Sequence, residues 1–260
     1  MFKIKFNGNG ATSGKMSMKE YTKKGKLPSN QFKRKGYKFV GWSLKKNNVI
    51  NMKHFQLGKV KYKNRAAVNF KNGKTITLYA CWKGYGPEAA CLWARLITRD
   101  NSFMYGVGNG NWYHGRDRAH QIGCYFCGTT VHGPKRAKRG DRWEKTYCCN
   151  SFVMAAFTHG ANMFKKCAGG STKYQYWLKI KVGGKPIFKY LGRNVKYSDL
   201  NPGDILLSGT HIKLYVGKVK GVMKESHAAG EGWNAKSIRT QKVSGRIGNN
   251  YVALKYIGRH

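Results

Sequence analysis

Cys149 is the residue in this chain best placed for covalent chemistry. Asn150-Ser151-Phe152-Val153 follows it, and Phe152, Val153, Ala156 and Phe157 recur at helical spacing, so a helix is expected to open at the cysteine. Unpaired N–H groups at a helix start favour an anion, and so does a neighbouring imidazole. Either device turns a thiol into a nucleophile near neutral pH. His211 opens the strand-like run His211-Ile212-Lys213-Leu214-Tyr215-Val216-Gly217 and is the expected base. A third polar side chain must hold that imidazole by its other nitrogen. Cys148 competes for the nucleophile's place, and helix register favours Cys149.

Other chemistry-bearing residues weigh less. Cys124-Tyr125-Phe126-Cys127 is a Cys-x-x-Cys, with His120, His132, Cys148 and Cys167 elsewhere in the same half. Zinc needs four ligands and only this pair has metal spacing. No metal or cofactor is therefore expected, and a disulfide or two buried thiols are preferred over a structural zinc. His54, His114, His159 and His260 have no partner motif and are assigned surface or capping roles. Gly106-Val107-Gly108-Asn109-Gly110 has no strand before it and no Gly-Lys-Ser/Thr after it, which excludes a phosphate loop and suggests a loop facing substrate. Seven cysteines cannot all pair, and a largely reduced protein is expected.

The elements that must position these residues divide the chain in two. Residues 1–83 read as all β: Phe2, Ile4 and Phe6 alternate with lysines, Tyr37 and Phe39 precede Gly41-Trp42, and residues 75–82 make a last strand. Trp42, Tyr79 and Trp82 read as core aromatics. Gly84-Tyr85-Gly86-Pro87 is a joint, and Pro87 and Glu88 suit a helix start. Ala90, Leu92, Trp93, Leu96 and Ile97 continue that helix. Residues 102–147 are glycine-rich and basic. After the helix ending near Ala161 come strands at 187–191, 204–207, 211–216, 219–224, 237–243 and 251–257. Helices followed by an antiparallel sheet make residues 84–260 an α+β domain.

The charge is extreme. Fifty Lys and Arg face ten Asp and Glu, a net +40. Residues 1–83 carry 21 of the basic residues and a single acid, Glu20, so the excess is not a tail. Such a balance implies a polyanionic partner: nucleic acid, an anionic membrane or a wall rich in teichoic acid. The run Pro134-Lys135-Arg136-Ala137-Lys138-Arg139 reads as part of that general face. No run of about 18 uncharged apolar residues is present, so no membrane span is expected. Met1-Phe2-Lys3-Ile4-Lys5-Phe6 alternates like a strand and lacks a signal peptide's apolar core.

Two resemblances sharpen this reading. Phe6-Asn7-Gly8-Asn9-Gly10, Gly25-Lys26-Leu27-Pro28, Gly36-Tyr37-Lys38-Phe39-Val40-Gly41-Trp42 and Thr77-Leu78-Tyr79-Ala80-Cys81-Trp82 together resemble the internalin-type B repeat, a small β-grasp-like module of bacterial surface proteins. Most of that family's acidic positions are lysine here. Tyr147-Cys148-Cys149-Asn150-Ser151-Phe152-Val153 resembles the Asp-Cys-Ser-Gly-Phe-Val nucleophile motif of NlpC-type cell-wall peptidases. Leu200-Asn201-Pro202-Gly203-Asp204-Ile205-Leu206 and the His211–Gly217 run are similar to that family's next two motifs, in the same order.

The second resemblance implies a papain-like domain, its nucleophile helix packed on an antiparallel sheet, and a peptidoglycan hydrolase cutting a stem-peptide amide. It places the third residue on the next strand. Ser226-His227-Ala228-Ala229 is similar to the family's pattern there, making His227 the choice and Glu225 the alternative. It also implies an oxyanion hole using the nucleophile's own N–H, to which Tyr147 could add a hydroxyl if it is not simply packed. The partners implied are peptidoglycan and anionic wall polymers, with nucleic-acid binding only non-specific, and the expected location is the cell wall or extracellular space. A catalytically inactive polyanion-binding protein, and an acyltransferase or deamidase toxin on the same fold, are the alternatives.

Overall fold

The computed structural model describes residues 1–46, 49–105, 122–127, 129–132, 145–167, 171–229 and 238–258. The loop at 106–110, the basic run at 134–139, and His114, His120 and His260 lie outside them. The chain forms two compact units, Met1–Tyr85 and Gly86–His260, dividing two residues beyond the expected boundary. Tyr85 stays with the first unit because its N–H donates to the Gly36 carbonyl and its ring lies under the Lys38 ammonium, 3.3 Å from the ring centroid. The fold is of mixed α and β class.

In the first unit the labelled strands are β1 (Phe2–Asn7), β2 (Lys19–Tyr21), β3 (Tyr37–Ser43), β4 (Val49–Asn51), β5 (Gln56–Leu57) and β6 (Thr75–Gly84). They form one sheet in the order β2-β1-β6-β5-β4, with β3 also on β6. β1 runs parallel to the first half of β6, and β3 antiparallel to its second half. Alternation in β1 buries Phe2 and Ile4 and leaves lysines outside. Trp42 and Trp82 are buried, with Phe39 packed against both at 5.0 and 5.8 Å between centroids. Tyr79 is only half-buried. Gly41 sits at φ +146 in a bulge of β3, where a Cβ would lie 2.7 Å from the Tyr62 carbonyl oxygen. Only glycine fits there.

The second unit has α1 (Pro87–Ile97), β7 (Ile122–Cys124), β8 (Thr129–His132), α2 (Cys149–Ala155), α3 (Tyr174–Leu178), β9 (Phe188–Arg193), β10 (Ile205–Leu207), β11 (Ile212–Val219), β12 (Val222–Ala228), β13 (Ile238–Lys242) and β14 (Val252–Tyr256). β9 to β14 form an antiparallel sheet in the order β9-β14-β10-β11-β12-β13. α1 and α2 pack on β11 and β12. A smaller core of Tyr197, Leu200, Leu206, Tyr215, Ile247 and Ala253 forms beside Leu191, Val195 and Tyr251. Alternation along β10, β11 and β14 buries Leu206, Tyr215 and Ala253 in that core. Ile205, Leu207, Ile212, Leu214, Val252 and Leu254 are buried as well, and side-chain alternation turns them to the opposite face.

Three details differ from the sequence expectation. α3 lies in a stretch read as strands and turns. The strand expected at 219–224 instead begins at Val222, because Lys220 and Gly221 turn the chain at φ +52 and +80. The helix from Cys149 is α-helical only to Ala155, and Ala156–Gly160 continue it as a π turn. Among the described residues no helix is long and apolar enough to cross a membrane.

Candidate functional site

Cys149 is the first residue of α2, and Cys148 is its N-cap. The cap is a reciprocal one: the Cys148 N–H donates to Ser151 Oγ at 3.0 Å, and the Cys148 thiol reaches Asn150 Oδ1 at 2.6 Å and Ser151 Oγ at 3.4 Å. The backbone N–H groups of Ile212 and Asn150 face the Cys149 sulfur and work to lower its thiol pKa. Ile212 is the residue after His211, so the helix start meets the start of β11 at this corner.

His211 is set by a short turn: its N–H donates to Ser208 Oγ at 3.1 Å and its carbonyl accepts from Ser208 N–H at 3.0 Å. Its Nε2 lies 2.8 Å from His227 Nδ1. His227 is buried on β12, not solvated. Its other nitrogen, Nε2, lies 3.4 Å from Arg239 Nε.

Glu225 is engaged elsewhere. The Lys213 ammonium and the Gln241 amide meet its Oε1 at 2.8 and 2.7 Å, and the Tyr197 hydroxyl donates to Oε2 at 2.8 Å. Burial alone would raise this carboxyl, yet those three donors hold it below its ordinary value. Between the two alternatives for the third position, it is His227 that contacts His211.

The electrostatics run against an ion pair. Burial pushes the Cys149 thiol up to about 12, the neighbouring Cys148 adding to it, and outweighs the N–H hydrogen bonds. Burial also lowers His211 to about 4, aided by the charges of Lys213 and Arg239. His227 falls to about 4 for the same first reason, with His211 next. These shifts favour a thiol and neutral imidazoles near neutral pH, against the pull of the helix start toward a thiolate.

Tyr147 is placed away from oxyanion duty. It is fully buried, its ring stacks on Phe103 at 5.8 Å, and its hydroxyl lies 3.8 Å from Cys124 Sγ. That position makes it a packed tyrosine at a second cluster.

The second cluster joins the Cys-x-x-Cys pair and Cys167 to His159, a residue assigned a surface or capping role from sequence. Cys124 ends β7, Cys127 lies in the turn after it, His159 sits in the π turn, and Cys167 lies in the loop beyond. Their ligand atoms all lie within 4.8 Å of one another. His159 Nε2 is 2.9, 3.2 and 3.7 Å from the sulfurs of Cys124, Cys127 and Cys167. The surface role assigned to His159 is overturned: it is 3% exposed. The ground for expecting no metal falls with it, because folding brings two distant ligands to the one pair with metal spacing. Gly160 permits this, since a Cβ there would lie 2.7 Å from Ala90 Cα and Trp93 Cβ, so only glycine lets the turn press against α1. Comparison with protein-family models, with curated proteins and with solved structures finds no match for this chain.

Proposed function

We propose that the second unit is a papain-like cysteine hydrolase that cuts an amide bond in the stem peptide of bacterial peptidoglycan, acting at the wall outside the cell. The observation that carries the chemistry is the 2.8 Å contact between His211 Nε2 and His227 Nδ1, beside the corner where the Ile212 N–H meets the Cys149 sulfur. The substrate follows from the three motifs that resemble those of NlpC-type peptidases.

The scheme needs the His211 proton on Nε2, donated to His227 Nδ1. His227 then carries its own proton on Nε2, and the Arg239 Nε–H goes to Gln241 Oε1 at 3.2 Å, which leaves His211 Nδ1 as the basic nitrogen. His211 takes the thiol proton as the Cys149 sulfur adds to the carbonyl carbon, and the Cys149 N–H supports the developing oxyanion. The C–N bond breaks as His211 returns the proton to the leaving amine. Water, deprotonated by the same imidazole, then hydrolyses the thioester and restores the thiol. The first unit, which resembles a β-grasp-like B repeat, holds the enzyme to wall polymers through its lysines.

Mass analysis of fragments released from purified walls tests the proposal. New amino and carboxyl ends at one stem-peptide bond are expected, and none from Cys149→Ser. Release of sugar-ended fragments only would refute an amide substrate.

A further inference from the structure

Nothing in the catalytic scheme uses Cys124, Cys127, His159 and Cys167, yet they are the densest set of metal-ligating side chains among the described residues. Three are buried and Cys127 is half-buried. Soft thiolates with one imidazole are the donor set of structural zinc sites, which close all four positions with protein ligands. Ligand atoms around tetrahedral zinc stand roughly 3.6–3.8 Å apart, given metal–ligand bonds of about 2.0–2.3 Å. Of the three nitrogen–sulfur separations, 3.7 Å matches that spacing while 2.9 and 3.2 Å are shorter. All four ligand atoms lie within 4.8 Å of one another, close enough for one ion to draw them into place.

The surroundings fit an ion as well. The Cys167 N–H donates to Cys127 Sγ at 3.3 Å, and the Tyr147 hydroxyl meets Cys124 Sγ; such contacts offset charge on metal-bound thiolates. Phe126 and Trp93 pack on the His159 ring at 5.4 and 6.1 Å, which fixes its orientation and limits water.

We infer that these four side chains form a structural zinc site that ties the β7–β8 hairpin and the loop at Cys167 to the far end of the helical run begun by Cys149. The π turn is the device that makes it work. One extra residue in the helix redirects His159 toward the cysteines, as π turns often do at functional positions. With every position filled by protein, the ion has no opening for water or substrate. It supports the nucleophile helix and takes no part in the reaction.

The test uses the full chain purified with reductant and without chelator. About one zinc per chain is expected by elemental analysis, released when a mercurial titrates the thiols. Exchange with cobalt should give the intense visible bands and thiolate charge-transfer absorption of a tetrahedral sulfur site. His159→Cys should keep one metal per chain, and His159→Ala should lose it or bind it far more weakly. Should the alanine variant fail to fold, the native chain still decides. Negligible zinc together with no cobalt uptake, or a Cys124–Cys127 disulfide in peptide maps of native protein, overturns the inference. None of these readouts needs enzymatic activity, so they stand apart from the proposed hydrolysis.

Discussion

His227 Nδ1 stands 2.8 Å from His211 Nε2, across neighbouring strands of one sheet. The turn before β11 and the buried end of β12 therefore hold the His211 imidazole, which in the proposed reaction acts on Cys149. A group acting through His211 should affect turnover more than substrate binding. His227→Ala is expected to lower kcat on the order of 10²-fold with little change in KM, the lower end of what acid–base groups contribute. His227→Asn, which can still accept from Nε2–H, should recover much of that loss. Equal activity in all three proteins would remove His227 from the mechanism.

The pH profile should report the depressed imidazoles. With His211 near 4, kcat/KM should rise through about pH 4 and stay level across neutrality, with no fall when an imidazolium is lost. Arg239 helps hold His211 down, so Arg239→Gln should move the acid limb upward. A bell centred near neutral pH would restore the thiolate–imidazolium pair.

Stability should follow the same groups. Unfolded histidines titrate near about 6.5, well above the folded values of about 4. As pH falls below about 6.5 the unfolded chain gains protons first, so stability declines until the folded imidazoles titrate as well. Glu225, held below its ordinary value, adds stability that is present above its unfolded pKa and lost as pH falls through the folded one. Thermal melts from pH 7 to 4 should show a falling Tm, with a shallower slope in His227→Gln. An unchanged slope would contradict the shifts.

The Lys213–Glu225 pair is a structural fastener. Glu225 is 1% exposed at its side chain against 16% for Lys213. Lys213→Met would leave a buried carboxylate short of its cation, costing about 3 kcal/mol in denaturant unfolding. A loss under about 1 kcal/mol would mean that Tyr197 and Gln241 suffice.

How much of this could be read beforehand depended on how local the signal was. Cys149 at a helix start and His211 before a strand are short periodic patterns, and the chain folds them as written. Asp204 belongs to the same class: its two oxygens accept N–H groups of Asn201 and Tyr256 at 2.8 Å each, tying the loop before β10 to β14. His159 could not be read this way. It lies 32 residues from Cys127 and 8 before Cys167, and a helix pattern carries no sign of a π turn. Five-residue α3 is too short to show a period. Lys220 at φ +52 fills a turn position where Asn or Gly is the usual signal. Burial, invisible in sequence, raises the Cys149 thiol against the pull of the helix end.

The charge of residues 1–83 should act as an electrostatic anchor. Attraction between exposed lysines and wall phosphates is screened over about 8 Å at physiological salt. Pull-down of the full chain on purified walls should weaken steeply with added salt and after removal of teichoic acid. Equal retention on stripped walls would exclude such an anchor.

The central claim is that Cys149, not Cys148, becomes acylated. Both are buried to nearly the same degree, 7% and 6% exposed, but Cys148 is occupied as the helix cap. Acid-quenched turnover of a stem-peptide substrate, followed by fragmentation of the peptide bearing both cysteines, reads this directly. An acyl mass on Cys149, retained in Cys148→Ser and lost in Cys149→Ser, is the predicted result. An acyl mass on Cys148, or wall cleavage by Cys149→Ser at the unmodified rate, would contradict it.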